Sequence, residues 1–195
     1  MGSMRKTGVT TKTPKRILFG AGVFYKDMKF DSESNSWKGI PLGATKGGGT
    51  LTITPNIVEI TPDGVPVKVR GLAVKNGETC TLQVNLLELT EDIVKLAVLG
   101  KAEEEATGNY DKIVSKSSIE EGDYVKGLAF VGKLLDGRDV VCIIPYALCN
   151  SGLPVQGHDG QESAIAYTFE EHIDISDTGD MDHLAYEIYF EKESA

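Results

Sequence analysis

The sequence has little of what usually identifies an enzyme, a membrane protein or a nucleic-acid binder. There are only three cysteines, Cys80, Cys142 and Cys149. An odd count with no repeated spacing excludes a disulfide framework, and no thiol motif surrounds any of them, so they read as reduced core residues. Aromatic residues make up 7% of the chain and include a single tryptophan, Trp37. The three histidines, His158, His172 and His183, share no ligand spacing. Basic residues are the minority, 20 Lys and Arg against 29 Asp and Glu, and the net charge of −9 argues against a protein that grips phosphates. No apolar run approaches the ~20 residues of a membrane helix. A chain of 195 residues can hide ~70% of its unfolded surface and needs neither disulfide nor metal to fold.

Catalytic and ligand motifs fail one by one. Gly20-Ala21-Gly22 follows a strand, but Tyr25 occupies the third glycine position of a dinucleotide fingerprint and no helix follows. Lys46-Gly47-Gly48-Gly49-Thr50 has the composition of a phosphate loop in the wrong order, and a strand comes after it. A bend, or the close approach of another backbone, accounts for these glycines better. His158-Asp159 has no accompanying serine motif. The acids Asp174, Asp177, Asp180 and Asp182 lack the EF-hand order and read as a solvated turn. The expectation is a non-enzymatic protein without catalytic residues, cofactor or metal.

What the sequence does contain is alternation and turns. From Thr79 to Leu87, Cys80, Leu82, Val84 and Leu86 share one face of a half-buried strand. Thr90, followed by Glu91 and Asp92, caps a short helix over about 90–99, with Gly100 expected as its left-handed terminator. Strands are also expected at 17–25, 50–60, 65–74, 124–135, 139–145, 165–173 and 186–190. Turns are expected at Thr61-Pro62-Asp63-Gly64, Asn76-Gly77 and Asp136-Gly137. The run Asp139–Pro145 is apolar on both faces, as in a central strand or an interface. Many strands with one helix predict a mainly-β fold, a two-sheet sandwich or barrel.

The organisation read from this is a basic arm at 1–15, expected to be disordered, followed by one β domain over 16–195. Long loops are expected near 26–49 and 101–122, and an acidic strand at the end. Met1-Gly2-Ser3 reads as an expression scar before an initiator at Met4. The arm carries Arg5, Lys6, Lys12, Lys15 and Arg16 without an acid, whereas residues 170–195 carry an acidic surplus. The two ends are either solvated tails or complementary surfaces on neighbouring subunits. Trp37, expected in a loop, is either an interface anchor or a lid over the core edge.

Three stretches, Pro41-Leu42-Gly43-Ala44-Thr45-Lys46-Gly47-Gly48, then Val58-Glu59-Ile60 leading to Asp63-Gly64-Val65-Pro66-Val67-Lys68, then Leu86-Leu87-Glu88-Leu89-Thr90, together resemble the major tail (tail tube) proteins of long-tailed bacteriophages and prophages. Ile144-Pro145-Tyr146-Ala147-Leu148 and the strand from Ile165 to Ile173 are similar to the family's closing half. The resemblance implies a two-sheet β fold with one flanking helix, an architecture also used by contractile-tail and type VI secretion tubes. It implies hexameric rings stacked head to tail into a hollow tube, through which DNA passes without specific binding. The implied partners are other copies of the chain, a tape measure protein and tail terminator and initiator proteins. The implied location is the virion tail, assembled in the host cytoplasm, with no membrane role. Subunit contacts are then expected at the hairpin carrying Pro62, Asp63, Gly64, Lys68 and Arg70, where the family has its long assembly loop. The arm with Arg5, Lys6, Lys12 and Arg16, ordering on stacking, is the second expected contact, and Trp37 the third. The alternative is a non-enzymatic β-sandwich binding or adhesion module of a phage tail or secretion-type tube, for example one that recognises a surface glycan.

Overall fold

The computed structural model describes residues 7–103, 108–174 and 185–193. In chain order the strands are β1 (Leu18–Asp31), β2 (Ser36–Pro41), β3 (Thr45–Glu59) and β4 (Ala73–Leu86). Helix α1 (Glu91–Val98) comes next, then the short strands β5 (Lys101–Glu103) and β6 (Lys112–Val114). The chain closes with β7 (Val125–Leu134), β8 (Asp139–Cys149), β9 (Ile165–His172) and β10 (Glu187–Phe190). Eight strands make one antiparallel sheet in the order β2-β1-β7-β8-β9-β4-β3, with β10 also on β8, while β5 and β6 form a separate ribbon. The fold is mainly β with one short helix, as the alternation predicts.

One long sheet becomes two layers because β8 shares an edge between two partners. Tyr146–Cys149 of β8 pair with β9, and Val140–Ile143 pair with β10. On β7 and β8, successive residues then feed opposite cores, the two-residue period of a strand used on both faces. Leu128 and Ile144 join Phe24, Leu82, Val84, Leu86, Tyr167 and Phe169 in the larger core. Ala129, Val141 and Ile143 join Met28 in a smaller core on the other face, covered by Tyr25, Trp37 and Val131. Strands from both halves of the sheet order contribute to the larger core, so the sheet curls around it. The glycines assist the curl. Gly48 backs onto Ala21 of β1, and a Cβ at Gly22 (φ +69°) would collide with the Phe130 ring.

Helix α1 forms where its cap signals lie. Thr90 Oγ1 accepts from the Ile93 N–H at 3.4 Å, and Ile93 and Ala97 are buried against the larger core. Its end differs from expectation. Leu99 takes the left-handed position (φ 48°), while a Cβ at Gly100 would press on Ile113 and Val114 of β6. Close packing, not backbone handedness, therefore selects glycine there.

Other expectations are corrected. Residues 26–49 are not a long loop, because β1 runs on to Asp31, β2 returns from Ser36, and β3 starts at Thr45. Charged residues on the outer face and a bulge between Lys26 and Lys29 mask the alternation. Asn76-Gly77 is not a hairpin turn. Pro55 pairs Glu78 and Ile57 pairs Lys75, so two residues of β4 oppose Asn56 alone, a bulge that Gly77 (φ 101°) permits. Residues 65–72 do not form a strand, and β4 begins only at Ala73. The 101–122 excursion holds the β5–β6 ribbon. Within the arm, a turn spans Thr10–Thr13 and a 3-10 turn Pro14–Arg16.

Candidate functional site

The β3–β4 hairpin outgrows the sheet. β9 accompanies β4 only from Thr81 to Leu86, and beyond that the two strands continue as a lone ladder to Glu59–Ala73. No residue from Thr54 to Asn76 is buried. The arm nevertheless carries Ile57, Val58, Ile60, Val67, Val69 and Val74, each at least 42% exposed and Val67 70% exposed. At its tip the Val65 N–H donates to the Pro62 carbonyl at 3.3 Å, with Gly64 left-handed (φ 79°). Lys68 Nζ donates to Glu59 Oε1 at 2.6 Å and folds the return segment back on the ladder. Pro62, Asp63, Gly64, Lys68 and Arg70 are thus brought together, all exposed, on one projecting arm.

The basic arm lies against the chain's own C-terminal segment. Arg138 Nη2 donates to the Lys15 carbonyl at 2.9 Å and Nη1 to the Glu191 carbonyl at 3.3 Å, while Nε holds Asp136 at 2.8 Å. Lys15 Nζ stands 3.9 Å from Glu193. Basic and acidic ends therefore meet within one copy at Lys15. Lys12 and Arg16 are exposed. Arg5 and Lys6, with Asp177, Asp180, Asp182 and His183, lie outside the described residues.

Trp37 sits on β2, not in a loop. Its ring packs between Phe30 (centroids 5.2 Å, 67°) and Tyr189 (4.7 Å, 60°), covering the smaller core. The rings meet edge to face and shield one another instead of presenting a flat platform. The lid role is the one its contacts describe. Beside it Asp31 accepts from the Glu33 N–H and Ser34 Oγ and pairs with Lys38, and these contacts, Lys38 first, hold its pKa at about 2.

A trough at the opposite end from the hairpin tip was not legible in the sequence. Because neighbouring strands are antiparallel, the start of β1, the β3–β4 tip and the β7–β8 turn point one way. The start of β7 and α1 point the other. There Tyr124 separates two hollows of about 490 and 460 Å³. The first is walled by Lys26, Asp92, Lys95 and Lys126, the second by Glu120, Tyr146, His172 and Asp174, and Glu121 borders both. Tyr124 meets His172 edge to face at 5.2 Å. Lys126 Nζ lies 5.6 Å over the Tyr146 ring and 3.0 Å from Glu121. Beneath, Lys116 and Asp123 form a shielded pair at 2.6 Å, and Asp123 raises the Lys116 pKa. These residues are scattered between Lys26 and Asp174, so no local pattern announces them.

The three thiols are unpaired. Burial pushes Cys80 up to about 12 and raises Cys142 as well, which suppresses the nucleophilic thiolate at neutral pH. Among the described residues no group of His, Cys, Asp and Glu is arranged to hold a metal ion, and no helix is long and apolar enough to cross a membrane. The chain matches no protein-family model and no curated protein.

Proposed function

We propose that this protein is a self-assembling structural subunit, a phage-type tail tube protein whose copies form hexameric rings that stack head to tail into a hollow, DNA-conducting tube. The observation that carries this reading is the β3–β4 arm. Monomeric proteins rarely leave a contiguous apolar surface uncovered, and here the arm carries six exposed aliphatic side chains, of which Val58, Ile60 and Val74 share one face of the ladder's end. The occupant we assign is a second copy. The chain carries a matching apolar strip at the start of β1, where Leu18, Phe19 and Val23 are 49%, 70% and 44% exposed. A contact between different patches of identical chains is heterologous and propagates into rings or stacks, as a tube requires. The outer edge of β3 has no strand partner among the described residues, which suits sheet extension between neighbours. The resemblance of the three sequence stretches to tail tube proteins supplies the ring order and the DNA cargo. An acidic surplus favours DNA sliding through over sticking. Tape measure, terminator and initiator proteins are the further partners under this reading.

Sedimentation velocity across a concentration series tests it. Self-assembly into species of hexamer mass and above is the expected result, with or without an initiator as seed. A chain that remains a monomer under both conditions refutes it.

A glycan-binding module is the second reading; Phe30 and Tyr189 are its exposed rings, 50% and 42%, although they stand edge-on or tilted against Trp37 and form no flat platform. Saturable glycan binding by a strictly monomeric protein would favour that module.

A further inference from the structure

We infer that the hollow beside Tyr124 is a socket for the basic arm of a neighbouring copy, an inference that rests on the self-assembly proposed above. The hollow combines carboxylates with aromatic rings. Glu120 and Glu121, each paired with one lysine of its own copy (Lys116 and Lys126), still have side chains 67% and 79% exposed, and Tyr124, Tyr146 and His172 supply the rings. Carboxylates beside ring faces recognise ammonium and guanidinium groups. The chain already uses the arrangement once, since Lys126 sits over Tyr146 while its ammonium meets Glu121. A volume of about 460 Å³ accommodates a further long basic side chain.

The occupant follows from charge and position. The segment from Arg5 to Arg16 carries five cations and no acid. It leaves the fold at the far end of β7, where the Leu135 N–H donates to the Ile17 carbonyl. The socket lies at the near end of that strand, beside Tyr124 and Val125. A strand of 10 residues separates the two, a span of ~30 Å. Lys12 is five residues from Ile17 and reaches at most ~18 Å even if fully extended, and its turns shorten that further. It cannot fill the socket of its own copy. In a head-to-tail stack the arm end of one subunit faces the socket end of the next, so Lys12 meets the socket between copies.

The test is a fluorescent peptide of residues 5–16 titrated into the full-length protein at low salt, followed by polarisation. Saturable binding is expected, weakened about tenfold by Glu120→Gln with Glu121→Gln, since two charge contacts are lost. Tyr124→Leu should weaken it without changing charge, and a peptide with Lys12→Glu should bind worse to the wild type. Both glutamines retain a carbonyl acceptor for the Glu120 cap, so folding is preserved. Absence of saturation, or equal affinity for the Glu120→Gln, Glu121→Gln variant, overturns the socket. Assembly scored separately by sedimentation keeps the two claims apart: tubes that form while the peptide shows no binding overturn the socket alone.

Discussion

The arm offers the sharpest test of how the fold produces assembly. Consider replacing Val58, Ile60 and Val74, which share one face of the ladder, together with threonine. Threonine keeps the β-branched shape and strand preference, and none of the three sites is buried in the subunit. Their relative exposures are 45%, 54% and 51%. Complete burial of such a side chain is favourable by ~1.5–3 kcal/mol, so the exposed half has roughly 1 kcal/mol still to gain against a neighbour. The triple change therefore removes about 3 kcal/mol from each arm contact, roughly a hundredfold in its equilibrium constant. Light scattering during a concentration series should show the onset of assembly at a much higher protein concentration. Thermal unfolding of the dilute protein, followed by circular dichroism, should shift by only a few degrees. If the onset is unmoved, the exposed aliphatics are not the contact. If instead the dilute subunit unfolds, the arm packs within its own copy and the reasoning fails.

Four further outcomes follow from the same structure. Asp31 has a folded-state pKa lowered from 3.8 to about 2, so its contribution is complete above about pH 4 and lost as pH falls through about 2. Fluorescence of the lone Trp37 should report loosening of the β1–β2 hairpin in that window, and Asp31→Asn should abolish the step. Alkylation at pH 8 should leave Cys80 and Cys142 almost untouched in the native protein, whereas all three cysteines should react in denaturant, because burial disfavours the thiolates. Rapid native labelling of Cys80 would contradict the fold. The Tyr167 hydroxyl is buried with no hydrogen-bond partner, so Tyr167→Phe should stabilise the subunit by about 1 kcal/mol, and a lower melting temperature would refute that. Leu82, 1% exposed in the larger core, should cost ~2–5 kcal/mol when changed to alanine, and a loss under 1 kcal/mol would place it outside the core.

What was legible in the sequence is what depends on local periodicity. Cys80, Leu82, Val84 and Leu86 alternate inward as read, Ile165, Tyr167 and Phe169 do the same on β9, and Thr90 caps α1. Strands escaped notice where bulges shift the period, as between Lys26 and Lys29 and again between Thr45 and Gly49. Asn76-Gly77 has the composition of a turn, yet the continuing ladder of β3 absorbs it as a bulge. The hairpin candidates Pro62 to Arg70 were legible because turn chemistry is local. The trough was not, because Tyr124, Tyr146 and His172 come from three different segments that only the sheet order β7-β8-β9 brings together. The role of Arg138 was equally hidden, since its partners Lys15 and Glu191 lie more than fifty residues away on either side.

Whether copies of this chain build a tube decides what the protein does. Negative-stain electron microscopy of the concentrated protein, alone and with a tail initiator complex as seed, asks this directly. Sixfold rings, or hollow tubes of stacked rings, are the expected images, and the arm variant should suppress them. Uniform monomeric particles under both conditions would contradict the central claim.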